Sequence, residues 1–177
     1  YTLLTQNAGT FGHIGIAADS DGVERRMPLL YAWGDGYIPS YALAVAARAF
    51  SIDTSRVVLA AGQYLSLPLS DGRVIKIPVD SQCRAYIPYT GSWDTTGKHI
   101  PFEEFVKGAS DEDAYWSLFD LIDGRIVLFS DLSTAKKDFG ISPFEPVFPL
   151  AGIHAAMLNG ICTGVFFRPV PVWGKLI

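Results

Sequence analysis

Cysteine is scarce. Cys83 and Cys162 are the only two in 177 residues, too few for a disulfide scaffold, and neither belongs to a CxxC pair. Both thiols are expected to stay unpaired, one lying before a strand and the other inside a helix, and they leave the redox compartment open. The three histidines, His13, His99 and His154, are far apart, and none is followed at metal-ligand spacing by His, Cys or a carboxylate pattern, so no metal site is expected. The motifs GxSxG, HExxH, GxGxxG and the phosphate-binding GxxxxGK are missing, and GTFGHIG at 9–15 has the wrong spacing. Asp19, Asp21 and Glu24 begin like a calcium loop but lack the third carboxylate, the later Gly and the closing Glu; they read as a hairpin turn. These motifs point to no catalytic residue and no cofactor.

Positive charge is also short. With 14 Lys and Arg against 18 Asp and Glu, the net charge is -4. The closest basic pairs, Arg25-Arg26 and Lys136-Lys137, do not extend into a run, which argues against a nucleic-acid partner. Nor is there a membrane-spanning run: the apolar stretch near the C-terminus is interrupted by Glu145 and broken by Pro143, Pro146 and Pro149. The opening residues carry no basic start and no apolar run, so they are not a secretory signal, and Tyr1 is not expected to be the natural start.

What the chain does have is a core. Hydrophobic residues make up 49% and charged residues 18%, which excludes general disorder, and the length favours one domain over 1–177. Asp-Gly steps at Asp21-Gly22 and Asp71-Gly72, with a GDG turn at 34–36, punctuate short β-prone runs and predict hairpins. Val57 to Ala60, Tyr64 to Leu67 and Val74 to Ile77 read as a meander, with Arg84 to Tyr89 as a further strand. Ser40 is placed to cap a helix carrying Leu43, Ala47 and Phe50. Phe102 to Val106 is expected to be a short helix, and Ser110 with Asp113 to form a capping box for the next. Arg125 to Ser130 is expected to be a strand buried on both faces, and Ile153, Met157 and Ile161 mark a last helix that Gly164 ends. The expected fold class is α/β, a mixed β-sheet with β-hairpins and flanking helices in a single domain, with Ile126 to Phe129 near the sheet centre.

Ligands of open α/β sheets bind beyond the carboxyl ends of strands, where Asp131 follows Ile126 to Ser130 and Ser133 and Thr134 add hydroxyls. His154, in the first turn of the last helix, faces a cleft in this reading. The plainer alternatives are that Asp131 caps a following turn and that His154 is a packed residue. A small polar or anionic ligand is expected where the loop 130–134 meets that helix start, although Asp131 itself favours an amine.

The ordered series GHIGIAADSDGVERRMPLL, IPSYALAVAARA, LSDGRVIKIPV, IPYTG, DLIDGRIVLFSD and GIHAAMLNGICTGVFFRP resembles the type-two CHASE domain, the cyclase and histidine-kinase associated sensing extracellular module, from Gly12 to Pro169. Residues that match the family's pattern include Gly12, Asp21, Gly22, Arg25, Arg26, Pro39, Ser40, Asp123, Gly124, Gly152 and His154. The sequence departs from it at Phe129-Ser130-Asp131-Leu132, Ala151 and Ala156. The resemblance implies a non-enzymatic, extracytoplasmic (periplasmic or extracellular) sensor domain of a bacterial receptor. It also implies a membrane anchor outside this chain, a cytoplasmic cyclase, kinase or diguanylate cyclase as output, and further sheet-forming residues before Tyr1. The expected partners are an unknown small-molecule ligand and, through an open sheet edge, a second copy of the chain as a homodimer. Two rival readings remain: a hydrolase-type enzyme using Asp131, His154 and Ser133, and a spacer that dimerises receptor chains without a ligand.

Overall fold

The computed structural model describes residues 8–132 and 138–168. Residues 19–22 form a tight turn in which Gly22 N–H reaches Asp19 O at 2.9 Å and Gly22 takes φ +82°, a conformation that favours glycine. An antiparallel bridge between Ala17 and Arg26 makes this a hairpin. The chain continues as β1 (Arg26–Pro28) and β2 (Leu30–Trp33), and β2 turns at Gly34-Asp35 into β3 (Gly36–Pro39).

Helix α1 (Tyr41–Ala49) starts at Ser40, whose hydroxyl accepts the Leu43 N–H at 3.3 Å. Its buried side is Ala42, Leu43, Ala44 and Ala46, mostly methyl groups that let a neighbour come close. The meander follows as β4 (Val58–Ala60), β5 (Tyr64–Pro68) and β6 (Val74–Pro78), a three-stranded antiparallel sheet. Its register sets Leu65 opposite Ile77 and Leu67 opposite Ile75, so the period-two apolar residues share one face. Strand β7 (Arg84–Tyr86) then pairs back with β1, Met27 opposite Ala85.

A helical hairpin comes next, α2 (Phe102–Ser110) and α3 (Glu112–Ile122). The cap of α3 is Asp111, which accepts the Asp113 and Ala114 N–H groups, and not Ser110 as the sequence suggested. Ser110 ends α2 and donates its hydroxyl back to Val106 O at 2.8 Å, which takes it out of play for the next helix. The two-residue strands β8 (Phe139–Gly140) and β9 (Phe148–Pro149) pair just before α4 (Leu150–Thr163), and Gly164 ends α4 in the left-handed conformation.

Helix α4 packs on α1 and buries Ile153, Met157 and Ile161 in a core that includes Met27, Leu29, Leu65, Leu67, Ile77 and Phe148. The α/β class with hairpins and flanking helices is the one observed. All described strand pairs are antiparallel, and a parallel bridge joins His13 to Ser40.

A second expectation fails, at the apolar run. Residues 125–130 form no strand, and Ile126 and Phe129 are 40% and 63% exposed. Only Leu128 of the four packs against the core, while Phe129 lies edge-on to Phe105 of α2 at 4.9 Å. An apolar run becomes a doubly buried strand only where ladders exist on both sides, and none among the described residues reaches it.

Candidate functional site

Two histidines meet where the N-terminal segment crosses the start of α1. His13 N–H donates to Pro39 O and Tyr41 N–H donates to His13 O, both at 2.8 Å, which threads residues 12–15 along the chain entering the helix. His154, in the first turns of α4, is buried there, edge-on to Tyr41 at 5.8 Å, and hydrogen-bonds the Ile14 backbone. The His13 ring stacks obliquely on Tyr31 at 4.1 Å. Its Nδ1 accepts the Gly15 N–H at 3.2 Å, which puts the neutral ring's proton on Nε2.

That leaves one buried nitrogen on each ring, His13 Nε2 and His154 Nδ1, without a hydrogen-bond partner among the described residues. Burial lowers the pKa of both. For His154 the Ile14 contact works the other way, and the nearby His13 lowers it further. The joint therefore holds two neutral imidazoles and resists a proton on either.

Of the residues read from the sequence, Asp131 is exposed on the loop that follows Phe129, and His154 is buried under Tyr41. Ser133 and Thr134 lie outside the described residues. The start of α4 is filled by aromatic rings: a Cβ on Gly152 would stand 2.6 Å from Phe148 Cε1 and 2.8 Å from Trp93 Cζ3. The Trp93 ring in turn stacks on His99 at 3.9 Å, and the Trp93 backbone N–H donates to Glu145 Oε1 at 2.7 Å. Sequence reading passed over His13, whose meeting with His154 depends on the long-range bridge to Ser40; no local spacing announces it.

The paired arginines and their aspartates form an ion-pair network. Arg25 forks onto Asp21 at 2.9 and 2.8 Å and reaches Asp19 at 3.3 Å. Arg26 also binds Asp19 and extends to Asp80 at 3.4 Å, and Arg84 closes the chain on Asp80 at 2.8 Å. The Arg25 fork holds the Asp21 carboxyl down at about 2. This network ties the first hairpin to the turn between β6 and β7.

An open cleft of about 450 Å³ lies among Phe11, Trp33, Tyr37 and Pro39, and its lining includes neither His13, His154 nor Asp131. No group of three or more His, Cys, Asp or Glu among the described residues is placed to hold a metal ion. No helix among them is long and apolar enough to cross a membrane.

Antiparallel hairpins and a meander together with two helices packed on each other define a small α/β module. The chain belongs to the CHASE2 domain family, which it matches over residues 3–177. That family is one of extracellular sensing domains, and sensing is the role it carries. No curated protein and no solved structure matches the chain.

Proposed function

We propose that this chain is the ligand-input domain of a bacterial transmembrane receptor, held at the membrane by segments outside it, and that its signal regulates a cytoplasmic cyclase, histidine kinase or diguanylate cyclase. The single observation that carries this reading is the family match across residues 3–177. The domain itself does no chemistry in this reading, and its output enzyme lies elsewhere in the receptor.

A small polar molecule is the proposed ligand, with Asp131, Ser133, Thr134 and His154 as its contacts. The exposure of Asp131 supports access from solvent, and its carboxylate favours an amine over an anion. A thermal-shift screen of amines and carboxylates tests this on the wild type and on Asp131→Ala, Ser133→Ala, Thr134→Ala and His154→Ala. Loss of the shift in these variants supports the site; a shift that survives all four sinks it.

A second reading, a spacer that joins receptor chains without a ligand, draws support from the packing of Trp93 and Phe148 over Gly152, which leaves the α4 start no room for an anion. A screen with no hits, on a protein that nevertheless self-associates, favours the spacer.

A further inference from the structure

The helical hairpin keeps little of itself inside. Gly108 of α2 and Leu118 of α3 are its buried residues, and they pack on each other: a Cβ on Gly108 would stand 2.7 Å from Leu118 Cβ. On α3 three rings lie together. Tyr115 meets Trp116 edge-on at 5.3 Å and stacks on Phe119 at 6.0 Å, and Trp116 meets Phe119 edge-on at 6.0 Å. Tyr115 is 44% exposed, Trp116 62% and Phe119 36%. Exposed aromatic rings gathered on two turns of one helix have the make-up of a docking surface, where Trp and Tyr supply the anchors.

The charges around the rings say what fits over them. Glu112 and Asp120 stand four residues before and after Trp116, one turn away on either side in the same stripe of the helix. Asp111 and Asp123, the two caps of α3, bracket Tyr115 and Phe119 in the neighbouring stripe. All four carboxylates are exposed. The face therefore has an apolar centre and negative charge at both ends. Residues 102–122 hold six carboxylates against Lys107 alone, an excess larger than the net -4 of the whole chain. A second copy would bring the same carboxylates up against these, and anionic lipid would meet them with its own negative charge, so both are repelled. A cationic segment is attracted, and a guanidinium or ammonium over Trp116 gains a cation–π contact as well. From Glu112 to Asp120 the helix rises about 12 Å, two turns. The complementary shape is a helix with apolar residues between Lys or Arg residues about two turns apart.

We propose that the face of α3 around Trp116 docks a basic amphipathic helix of a partner protein. Its apolar side lies on Tyr115, Trp116 and Phe119, and its Lys or Arg residues lie against Glu112 and Asp120. The proposal rests on this face alone and holds whatever the domain senses.

The test is calorimetric titration of the full chain with two synthetic peptides about four turns long. One is patterned as an amphipathic helix of leucine and lysine, and the other has glutamate in place of every lysine. Wild type is expected to bind the lysine peptide, more weakly as salt is raised, and to ignore the glutamate peptide. Trp116→Ala should weaken binding roughly tenfold or more, a decade being about 1.4 kcal/mol. The double variant E112K/D120K should lose the lysine peptide and take up the glutamate peptide. D35K/D94K makes the same charge change at exposed carboxylates elsewhere and should bind like the wild type. All the substituted side chains are exposed, so unchanged far-UV circular dichroism and melting curves are expected; E112K/D120K leaves the rings in place and carries the test independently of Trp116→Ala. A wild type that does not bind the lysine peptide overturns the proposal, as does undiminished binding by Trp116→Ala. A loss in D35K/D94K as large as that in E112K/D120K would trace the attraction to net charge and overturns it too. Sedimentation velocity, and flotation with phosphatidylcholine vesicles with and without phosphatidylglycerol, check the other occupants: self-association or vesicle binding that Trp116→Ala abolishes would give the face to a second copy or to lipid and overturn the proposal.

Discussion

A Cβ on Gly12 would stand 2.7 Å from both the N and the Cα of Tyr41. The N-terminal segment and the start of α1 are thus in backbone contact, and the two hydrogen bonds through His13 depend on that closeness. Gly12→Ala should push the segment off the helix and cost about 1–3 kcal/mol, the usual range for overpacking. Thermal unfolding gives the loss, and hydrogen exchange should show the His13 and Tyr41 amides losing protection ahead of the meander. Unchanged protection at those amides would contradict the close approach.

The histidine joint predicts a pH dependence with a definite sign. Both imidazoles have lowered pKa values in the fold, so below about pH 6.5 the unfolded chain takes up protons that the folded chain refuses. Stability is full above that pH and falls as the medium acidifies, until the folded pKa values are passed. Urea unfolding at pH 7.5 and pH 5 should show the decrease, and His154→Gln, which cannot take up a proton, should reduce it. A variant with the same slope as wild type would count against His154 as a source.

Asp19 receives both Arg25 and Arg26, and the Arg26 bond is the larger cause of its lowered pKa. Its side chain is only 17% exposed, so Asp19→Asn should cost about 1.5–3 kcal/mol near neutral pH, the range for hydrogen bonds to a charged group. The sign for a lowered carboxyl is the usual one: stability is present above the unfolded pKa and is lost as pH falls through the folded one. The variant should therefore lose part of the acid limb below about pH 4, a window separate from that of the histidines. Chemical denaturation at pH 7 and pH 3 reads both effects.

Cys83 is buried with its thiol pushed up to about 11, while Cys162 is exposed. A thiol reagent at neutral pH should modify Cys162 in the folded protein and reach Cys83 only after denaturant is added. A count of zero free thiols in denaturant without reductant would show a disulfide instead.

The turns were legible in the sequence because their cause is local. Gly22, Gly34 and Gly72 all take positive φ, and Asp-Gly or Gly-Asp steps announce such turns whatever surrounds them. Ser40 as a cap and the four-residue recurrence of Ile153, Met157 and Ile161 are local in the same sense, and both stand in the structure. Asp111 was missed by one position because Ser110 and Asp111 are both good caps, and only the end of α2 decides between them. The error at Ile126 to Phe129 has another origin: consecutive apolar residues report the wish to be covered, while coverage depends on segments that lie elsewhere. The site was the least legible part. His154 was picked out for its place on the helix, yet its neighbours His13 and Tyr41 come from the far end of the chain.

Helices α1 and α4 pack on each other across the whole middle of the chain. During synthesis α1 leaves the ribosome with its alanine face uncovered, and its cover, α4, is translated only after α2 and α3. The meander has its own local hairpins and pairs early, but the closing contact carries a large loop-closure cost and comes late. A nascent chain stalled before Leu150 therefore holds that face bare, which makes it a substrate for chaperones and proteases until α4 arrives. Deletion of α4 should leave a protein that is cleared from the cell, with no stable half-domain surviving.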